Sequence, residues 1–180
     1  MKQLMMIALM LGGTAAFAQK YTTSTGKVTF FSSTPVENIE AVNNEAAAAL
    51  DSKTGNVVFQ VPVKSFKFEK QLMKDHFNEN YMESDKYPRA DYKGKINDLS
   101  KVNFAKDGTY NVGTSGKLTI HGVTKDVNIP GTVTVKGSTV TINSKFNVAT
   151  ADYKISVPKV VEGKIAKSIE VTVNSILEQK

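Results

Sequence analysis

Apolar and polar residues alternate with a period of two along most of the chain, the pattern of β-strands with one buried face. The alternation is clearest in seven stretches, at 28–31, 57–63, 92–96, 118–120, 127–135, 140–148 and 169–173. Glycine-containing turn signals at 53–55, 106–108 and 136–138 separate several of these stretches. Many short strands with turns between them predict an all-β antiparallel barrel or sandwich. No linker divides the chain, so we expect a single domain.

The alanine-rich stretch at 39–51 could form a helix or a strand. Four consecutive alanines favour a helix. However, Val42, Ala46, Ala48 and Leu50 share one face at a period of two, and the stretch leads into a Thr-Gly turn. We therefore predict a strand of small residues, and expect Ala46 and Ala48 to leave free volume inside the barrel.

Residues 68–82 change to a period of three and four residues, which predicts one amphipathic helix. Its apolar face comprises Phe68, Leu72, Met73, His76, Phe77 and Tyr81. In a barrel with one helix, we expect that helix to act as a lid or plug over an open end.

Residues 115–135 have the pattern of a hairpin, with residues 122–125 as the predicted connection. His121 stands at the mouth of this turn. We interpret it as structural, with a ring that hydrogen-bonds across the hairpin mouth.

The first 18 residues have the features of a secretory signal peptide. Lys2 precedes a short apolar run at 4–11, and Ala16-Phe17-Ala18 offers small residues for cleavage after Ala18. The run is too short to span a bilayer, and no other stretch approaches the required length. We expect residues 19–180 to form an exported barrel domain, periplasmic or secreted, without a transmembrane segment.

The chain has a formal net charge of +6, and eight lysines against three acidic residues lie between Lys117 and Lys167. Such an excess favours either a plain solvated surface or transient contact with an anionic membrane surface. Arg89 is the chain's single arginine, so nucleic acid is not an expected partner.

The sequence offers little material for catalysis. It contains two histidines and no cysteine, and it lacks both a Gly-x-Ser-x-Gly elbow and a glycine-rich phosphate loop. A metal site formed by His76 and His121 is an open alternative, but structural histidines are commoner than two-ligand sites. We expect no enzyme activity, no cofactor and no metal.

Aromatic residues are numerous, and they could either fill the barrel or line a hollow. An eight-stranded barrel encloses a space that side chains can just fill or that can hold one small ligand. The residues alone leave both alternatives open.

Four segments together resemble the YceI-like domain family over about residues 21–177. They are "LTIHGVTK" (118–125), "FQVPVKSFKF" (59–68), "LMKDHFNENYMESDKYPRADYKGKI" (72–96) and "FAKDGTYNVGTSG" (104–116). The resemblance implies an extended lipocalin-like antiparallel β-barrel, bacterial export, and binding of a long isoprenoid or other lipid chain in the lumen.

The resemblance favours a hollow barrel and an exported lipid-binding protein that sequesters or transports its ligand. The alternative is a structural or partner-binding barrel with a filled core. Under the first reading, the expected ligand contacts are Phe66, Phe68, Leu72, Met73, His76, Phe77, Tyr81, Tyr87, Arg89, Tyr92 and Phe146.

Overall fold

Nine strands and one short helix form most of the regular structure in residues 19–180, the part of the chain that this computed structural model describes. The predicted signal peptide, residues 1–18, lies outside the described residues. The strands are β1 Lys20–Ser33, β2 Asn38–Asp51, β3 Asn56–Pro62, β4 Lys67–Phe68, β5 Arg89–Ile96, β6 Gly108–Ile120, β7 Val123–Lys136, β8 Thr139–Ala149 and β9 Ser168–Gln179. The helix α1 spans Gln71–His76 and continues as a π-helical turn at Phe77–Tyr81.

The sheet closes on itself, and all its pairings are antiparallel. Its order is β1-β9-β8-β7-β6-β5-β3-β2, and β1 also pairs with β2, which makes an eight-stranded barrel. The short β4 pairs only with β2 and lies outside this ring. The prediction of an all-β antiparallel barrel is confirmed, and so is the strand at 39–51.

The two ends of the barrel differ in how they are packed. At the closed end, which carries the connection 97–107, Val102 belongs to the main buried cluster and Leu99 and Phe104 pack against it. The wall residues of this end are 0–2% exposed, namely Tyr21, Leu50, Val135, Val140 and Leu177. The opposite end, here called the open end, carries the connections 34–37, 63–88, 121–122 and 150–167.

The strands β7 and β8 pair only toward the closed end. Their ladder runs from Lys136 and Thr139 to Gly131 and Ser144 and stops there. Pro130 has no N–H to extend the ladder, and the Ser144 hydroxyl donates instead to the Pro130 carbonyl at 2.6 Å. The two strands are therefore free to diverge toward the open end.

The β6–β7 connection is shorter than predicted. It consists of His121 and Gly122, with φ of 51° and 72°, and the rest of the predicted connection belongs to β7. Two successive residues with positive φ form the tight turn that matches the right-handed twist of paired strands. The ring of Tyr87 lies against this turn, so a Cβ added at Gly122 would overlap the ring.

The helix is also shorter than the predicted 68–82. Phe68 is held in an extended conformation because β4 pairs it with Ala41 of β2. Lys70 is extended as well, with φ −112° and ψ 131°, and the helix begins only after it. Strand pairing thus overrides the helical period at this end.

We expect Gly122→Ala to destabilise the fold more than Gly137→Ala. Both glycines have positive φ, so each alanine carries a conformational penalty of roughly 1 kcal/mol. An added Cβ at Gly137 would meet no heavy atom within 4 Å, whereas at Gly122 it would overlap Tyr87, adding about 1–3 kcal/mol. Denaturant unfolding of the two variants measures the difference; equal losses would contradict this packing of Tyr87.

Candidate functional site

A cavity of about 570 Å³ opens at the open end of the barrel. This volume falls within the range of sites that enclose a small organic ligand. Its walls are apolar side chains from all eight barrel strands, for example Phe30, Phe59, Leu118, Phe146 and Val171. The arrangement is a hydrophobic chamber that reaches the open end of the barrel.

Strand β9 shows where the chamber ends. Ile169, Val171 and Val173 line the cavity and are only partly buried. Further along the same inward face, Leu177 is 0% exposed and does not reach the cavity. The barrel is thus filled at its closed end and hollow toward its open end, so the filled-core alternative holds for the closed end alone.

Connections at the open end border the mouth, and two of them supply its apolar side chains. The segment 63–88, with α1, contributes Phe66, Phe68, Met73, Phe77 and Tyr81. The segment 150–167 contributes Ile155, Val157, Val161 and Ile165 from the other side. The mouth is therefore formed by connecting segments rather than by strands.

Phe77 lies at the centre of an aromatic cluster on the wall of the cavity. Its ring centroid is 5.2 Å from that of Phe30, 5.6 Å from Phe66 and 5.1 Å from Phe68. Offset and edge-on aromatic contacts at these distances each contribute about 0.5–1.5 kcal/mol beyond area burial. The cluster fixes the short helix to β1 and β4, while Phe77 remains partly exposed to the cavity.

Nine of the eleven predicted ligand contacts line this cavity. They are Phe66, Phe68, Leu72, Met73, His76, Phe77, Tyr81, Tyr92 and Phe146. Tyr87 and Arg89 do not line it, because Tyr87 packs on the His121–Gly122 turn and Arg89 is exposed at the start of β5. Contact of the nine residues with a ligand stays a prediction.

Two polar side chains of the chamber wall, Tyr92 and Thr114, bond to each other. The Tyr92 hydroxyl donates to the Thr114 hydroxyl at 2.6 Å, which donates to the Ile129 carbonyl at 3.3 Å. Burial raises the pKa of Tyr92, so the phenol stays neutral and remains a donor. This chain of hydrogen bonds satisfies the hydroxyl groups of Tyr92 and Thr114 within the wall.

His121 lies outside the cavity and connects three segments of the open end. Its Nδ1 is 3.2 Å from the carbonyl oxygen of Tyr153, and its Nε2 is 2.6 Å from Glu83 Oε2. The ring of Tyr87 packs edge-on against the His121 ring, with 4.7 Å between the two ring centroids. The ring was predicted to hydrogen-bond across the hairpin mouth, but its partners lie in the two mouth segments instead.

The two contacts of His121 constrain where protons sit. A carbonyl oxygen only accepts, so Nδ1 must carry hydrogen to bond Tyr153. An ionised Glu83 carboxylate also only accepts, so both bonds form together when the ring is an imidazolium or when Glu83 is protonated. His121 and Glu83 also both have positive φ, of 51° and 42°, a backbone conformation that their side-chain contacts help to hold.

The two histidines lie in different surroundings. His76 lines the cavity mouth and is exposed, whereas His121 is engaged by Glu83 and Tyr153. Within residues 19–180, no group of three or more His, Cys, Asp or Glu side chains is placed to hold a metal ion.

Sequence analysis missed the contribution of segment 150–167. Its apolar residues at 155, 157 and 161 alternate weakly and are interrupted by Pro158 and several lysines.

The prediction that the alanines leave free volume inside the barrel was wrong. Ala46 and Ala48 are 0% and 5% exposed in packed clusters and do not line the cavity, so they leave no free volume for a ligand.

A closed eight-stranded antiparallel barrel with an apolar chamber at one end defines the class of lipocalin-like barrels. Within that class, the model of the YceI-like domain matches residues 13–176. The chain belongs to the YceI-like domain family. The resemblance drawn from its sequence motifs is thereby confirmed.

Solved structures with the same fold share little sequence with the chain. A polyisoprenoid binding domain from Saccharophagus degradans is 15% identical, with a TM-score of 0.79, over 91% of this chain and 99% of that one. Burkholderia cenocepacia BcnA is 21% identical, with a TM-score of 0.69, over 84% of this chain and 95% of that one. The Campylobacter jejuni YCEI protein is 15% identical, with a TM-score of 0.59, over 76% of this chain and 81% of that one. At these identities the likeness establishes the fold alone.

No curated protein sequence matches the chain. Among the helices of residues 19–180, none has the length and apolar character needed to cross a membrane.

We expect replacement of His121 to destabilise the open end without direct loss of ligand contacts. His121→Asn keeps a residue that tolerates positive φ but removes the ring, and should lower the free energy of unfolding by about 1–3 kcal/mol. His121→Ala should lower it by roughly a further 1 kcal/mol, because alanine is less tolerant of this backbone conformation. Denaturant unfolding measures both variants.

The matched readout for this pair is affinity for a lipid probe, measured well below the melting temperature. Little change is expected because the ring lies outside the cavity. Unchanged stability with lost affinity would instead place His121 in the binding site.

Proposed function

We propose that the chain is an exported lipid-binding protein that holds a long-chain isoprenoid or similar lipid in the barrel for sequestration or transport. The observation that carries this proposal is the apolar cavity of about 570 Å³ with its mouth at the open end. A chamber of this kind suits a ligand that is itself apolar along its length.

The energetics of such binding require no special residue. Burying each CH₂ of a ligand contributes about 0.8 kcal/mol, so a chain of many carbons binds through the sum of weak contacts. The cavity wall supplies these contacts from both aromatic and branched aliphatic side chains, such as Phe146, Ile142 and Val173. Motif-poor walls are therefore consistent with tight binding.

We propose binding rather than catalysis as the activity. His76 is exposed at the mouth, and the Tyr92 hydroxyl is engaged with Thr114. Within the described residues, the cavity presents no hydrogen-bonded nucleophile and base of the kind that covalent catalysis needs. On this proposal the protein needs no cofactor.

The comparisons support the lipid class at the level of fold. One structural neighbour is a polyisoprenoid binding domain, and it covers 91% of this chain at a TM-score of 0.79. Because the identity is only 15%, the choice of an isoprenoid or similar ligand for this chain rests on the shared architecture together with the apolar chamber.

Export to the periplasm, with cleavage after Ala18, is part of the same proposal. It is supported by the charged start, apolar run and small residues within 1–18. We include transient contact with a membrane surface, since a carrier of water-insoluble lipid must collect and release it where lipid is present.

Mass spectrometry of organic extracts tests the proposal most simply. Protein purified from its native host without detergent should release a stoichiometric long-chain lipid, and protein stripped of lipid should take up a fluorescent polyprenyl or fatty-acyl probe. An extract without lipid, combined with no uptake of either probe, would reject the lipid-binding function.

Phe77→Ala should weaken binding of the probe by about tenfold or more, because it removes apolar contact area from the chamber wall. Its effect on the unfolding free energy of lipid-free protein should fall below the roughly 3–5 kcal/mol typical of a phenylalanine in a filled core. Probe titration and denaturant unfolding of the same variant give both values.

Leu177→Ala is the matched control, because Leu177 is 0% exposed at the closed end and does not line the cavity. It should lower stability by about 2–5 kcal/mol while probe affinity stays near that of the wild type. If Phe77→Ala behaves like Leu177→Ala in both measurements, Phe77 belongs to a packed core and not to a ligand chamber.

A further inference from the structure

Exposed large apolar side chains are concentrated at the open end. The described residues contain four of them, and three lie in the open-end connections: Val36 at 66%, Leu72 at 65% and Val160 at 94% exposure. The fourth, Ile176 at 58%, faces outward from the barrel wall on β9. The distribution singles out one end of the molecule.

Each of these three side chains belongs to a cavity-lining residue or to its neighbour in the chain. Leu72 lines the cavity itself, and the chain neighbours of the other two, Glu37 and Val161, also line it. Three separate connections thus each present an apolar tip beside the entrance of an apolar chamber. Exposed apolar groups arranged around a ligand entrance are typical of an interaction surface rather than of scattered surface residues.

The charge of one of these connections indicates the chemistry of the partner. Segment 150–167 carries four lysines and two acidic residues, and both acidic residues are paired: Asp152 lies 4.0 Å from Lys125, and Glu162 lies 3.1 Å from Lys167. Among residues 19–180, Lys154, Lys159 and Lys164 form no ion pair. Val160, the most exposed apolar residue, follows Lys159 directly. An apolar tip between unpaired lysines suits the interface of an anionic bilayer.

We infer that the rim of the open end docks on the surface of a membrane that contains anionic lipids. Val36, Leu72 and Val160 enter the interface while Lys154 and Lys159 contact lipid headgroups, and the mouth of the chamber then faces the bilayer. This inference deepens the proposed function and rests on it, since the docked orientation brings the cavity to the source of its ligand.

Vesicle binding of the full-length processed protein tests the apolar part. The probe is a vesicle of equal parts phosphatidylglycerol and phosphatidylcholine, compared with phosphatidylcholine alone. The double variant Val36→Ser/Val160→Ser should lower the affinity for the anionic vesicles by about tenfold or more, relative to the wild type. The control Ile176→Ser removes another exposed large apolar group, this one from the wall, and should change binding less than about twofold.

A second pair of substitutions tests the charges. Lys154→Asn and Lys159→Gln together should lower affinity for the anionic vesicles by about tenfold, and added salt should do the same to the wild type. Asparagine is chosen because Lys154 has a φ of 57°, a conformation that asparagine tolerates. A control with Lys117→Gln and Lys136→Gln, on strands β6 and β7, should change binding less.

Several results would overturn the inference. They are absence of wild-type binding to anionic vesicles, equal loss in the rim and Ile176 variants, or a dimer in solution that the rim substitutions dissociate. Probe titration without vesicles separates this inference from the proposed function, because Val36 and Val160 do not line the cavity and their double variant should bind the probe normally. Vesicle binding by a protein that takes up no probe would reject the function but retain the docking surface.

Discussion

Closure of the barrel through β1 is the constraint on which the other features depend. β1 pairs with β2 on one edge and with β9 on the other, and these pairings close the ring of eight strands. A ring of this size fixes an interior only wide enough for side chains or for one ligand. What occupies each level of the interior is then decided by the side chains that point inward and by whatever covers each end.

The interior is filled by side chains at one end of the barrel and is hollow at the other. At the closed end, Phe104 stacks on Tyr21 with ring centroids 6.0 Å apart, and the neighbouring wall residues are almost fully buried. At the open end the connections pass around the mouth, and inward residues such as Ile142 and Val171 keep part of their surface facing the cavity. His121 bonds to Glu83 in segment 63–88 and to Tyr153 in segment 150–167. These bonds hold the two segments in place although a cavity rather than a packed core lies between them.

The alternation of apolar and polar residues predicted most of the strands. Where the alternation is missing, pairing with neighbouring strands determines that the chain is extended. The middle of β6, residues 113–117, contains no apolar residue. It is a strand because β7 pairs with it throughout and β5 pairs with it from Thr114 onward. Gly94 and Gly116 face each other there, and a Cβ on Gly116 would overlap the β5 backbone, so the close approach needs glycine. The chamber could be anticipated from family resemblance but not from the residues alone, because emptiness depends on how segments distant in sequence cover the open end.

One barrel combines a filled end with a hollow end, and on the proposed function the hollow end takes up an apolar chain. Methyl NMR of isotope-labelled, lipid-free protein titrated with geranylgeraniol tests it directly. Methyl signals of Ile142, Val171 and Val173, which line the cavity, should shift on titration, while those of Val140 and Leu177 at the closed end should stay in place. No shift in any of these signals, or equal shifts at both ends, would contradict the claim.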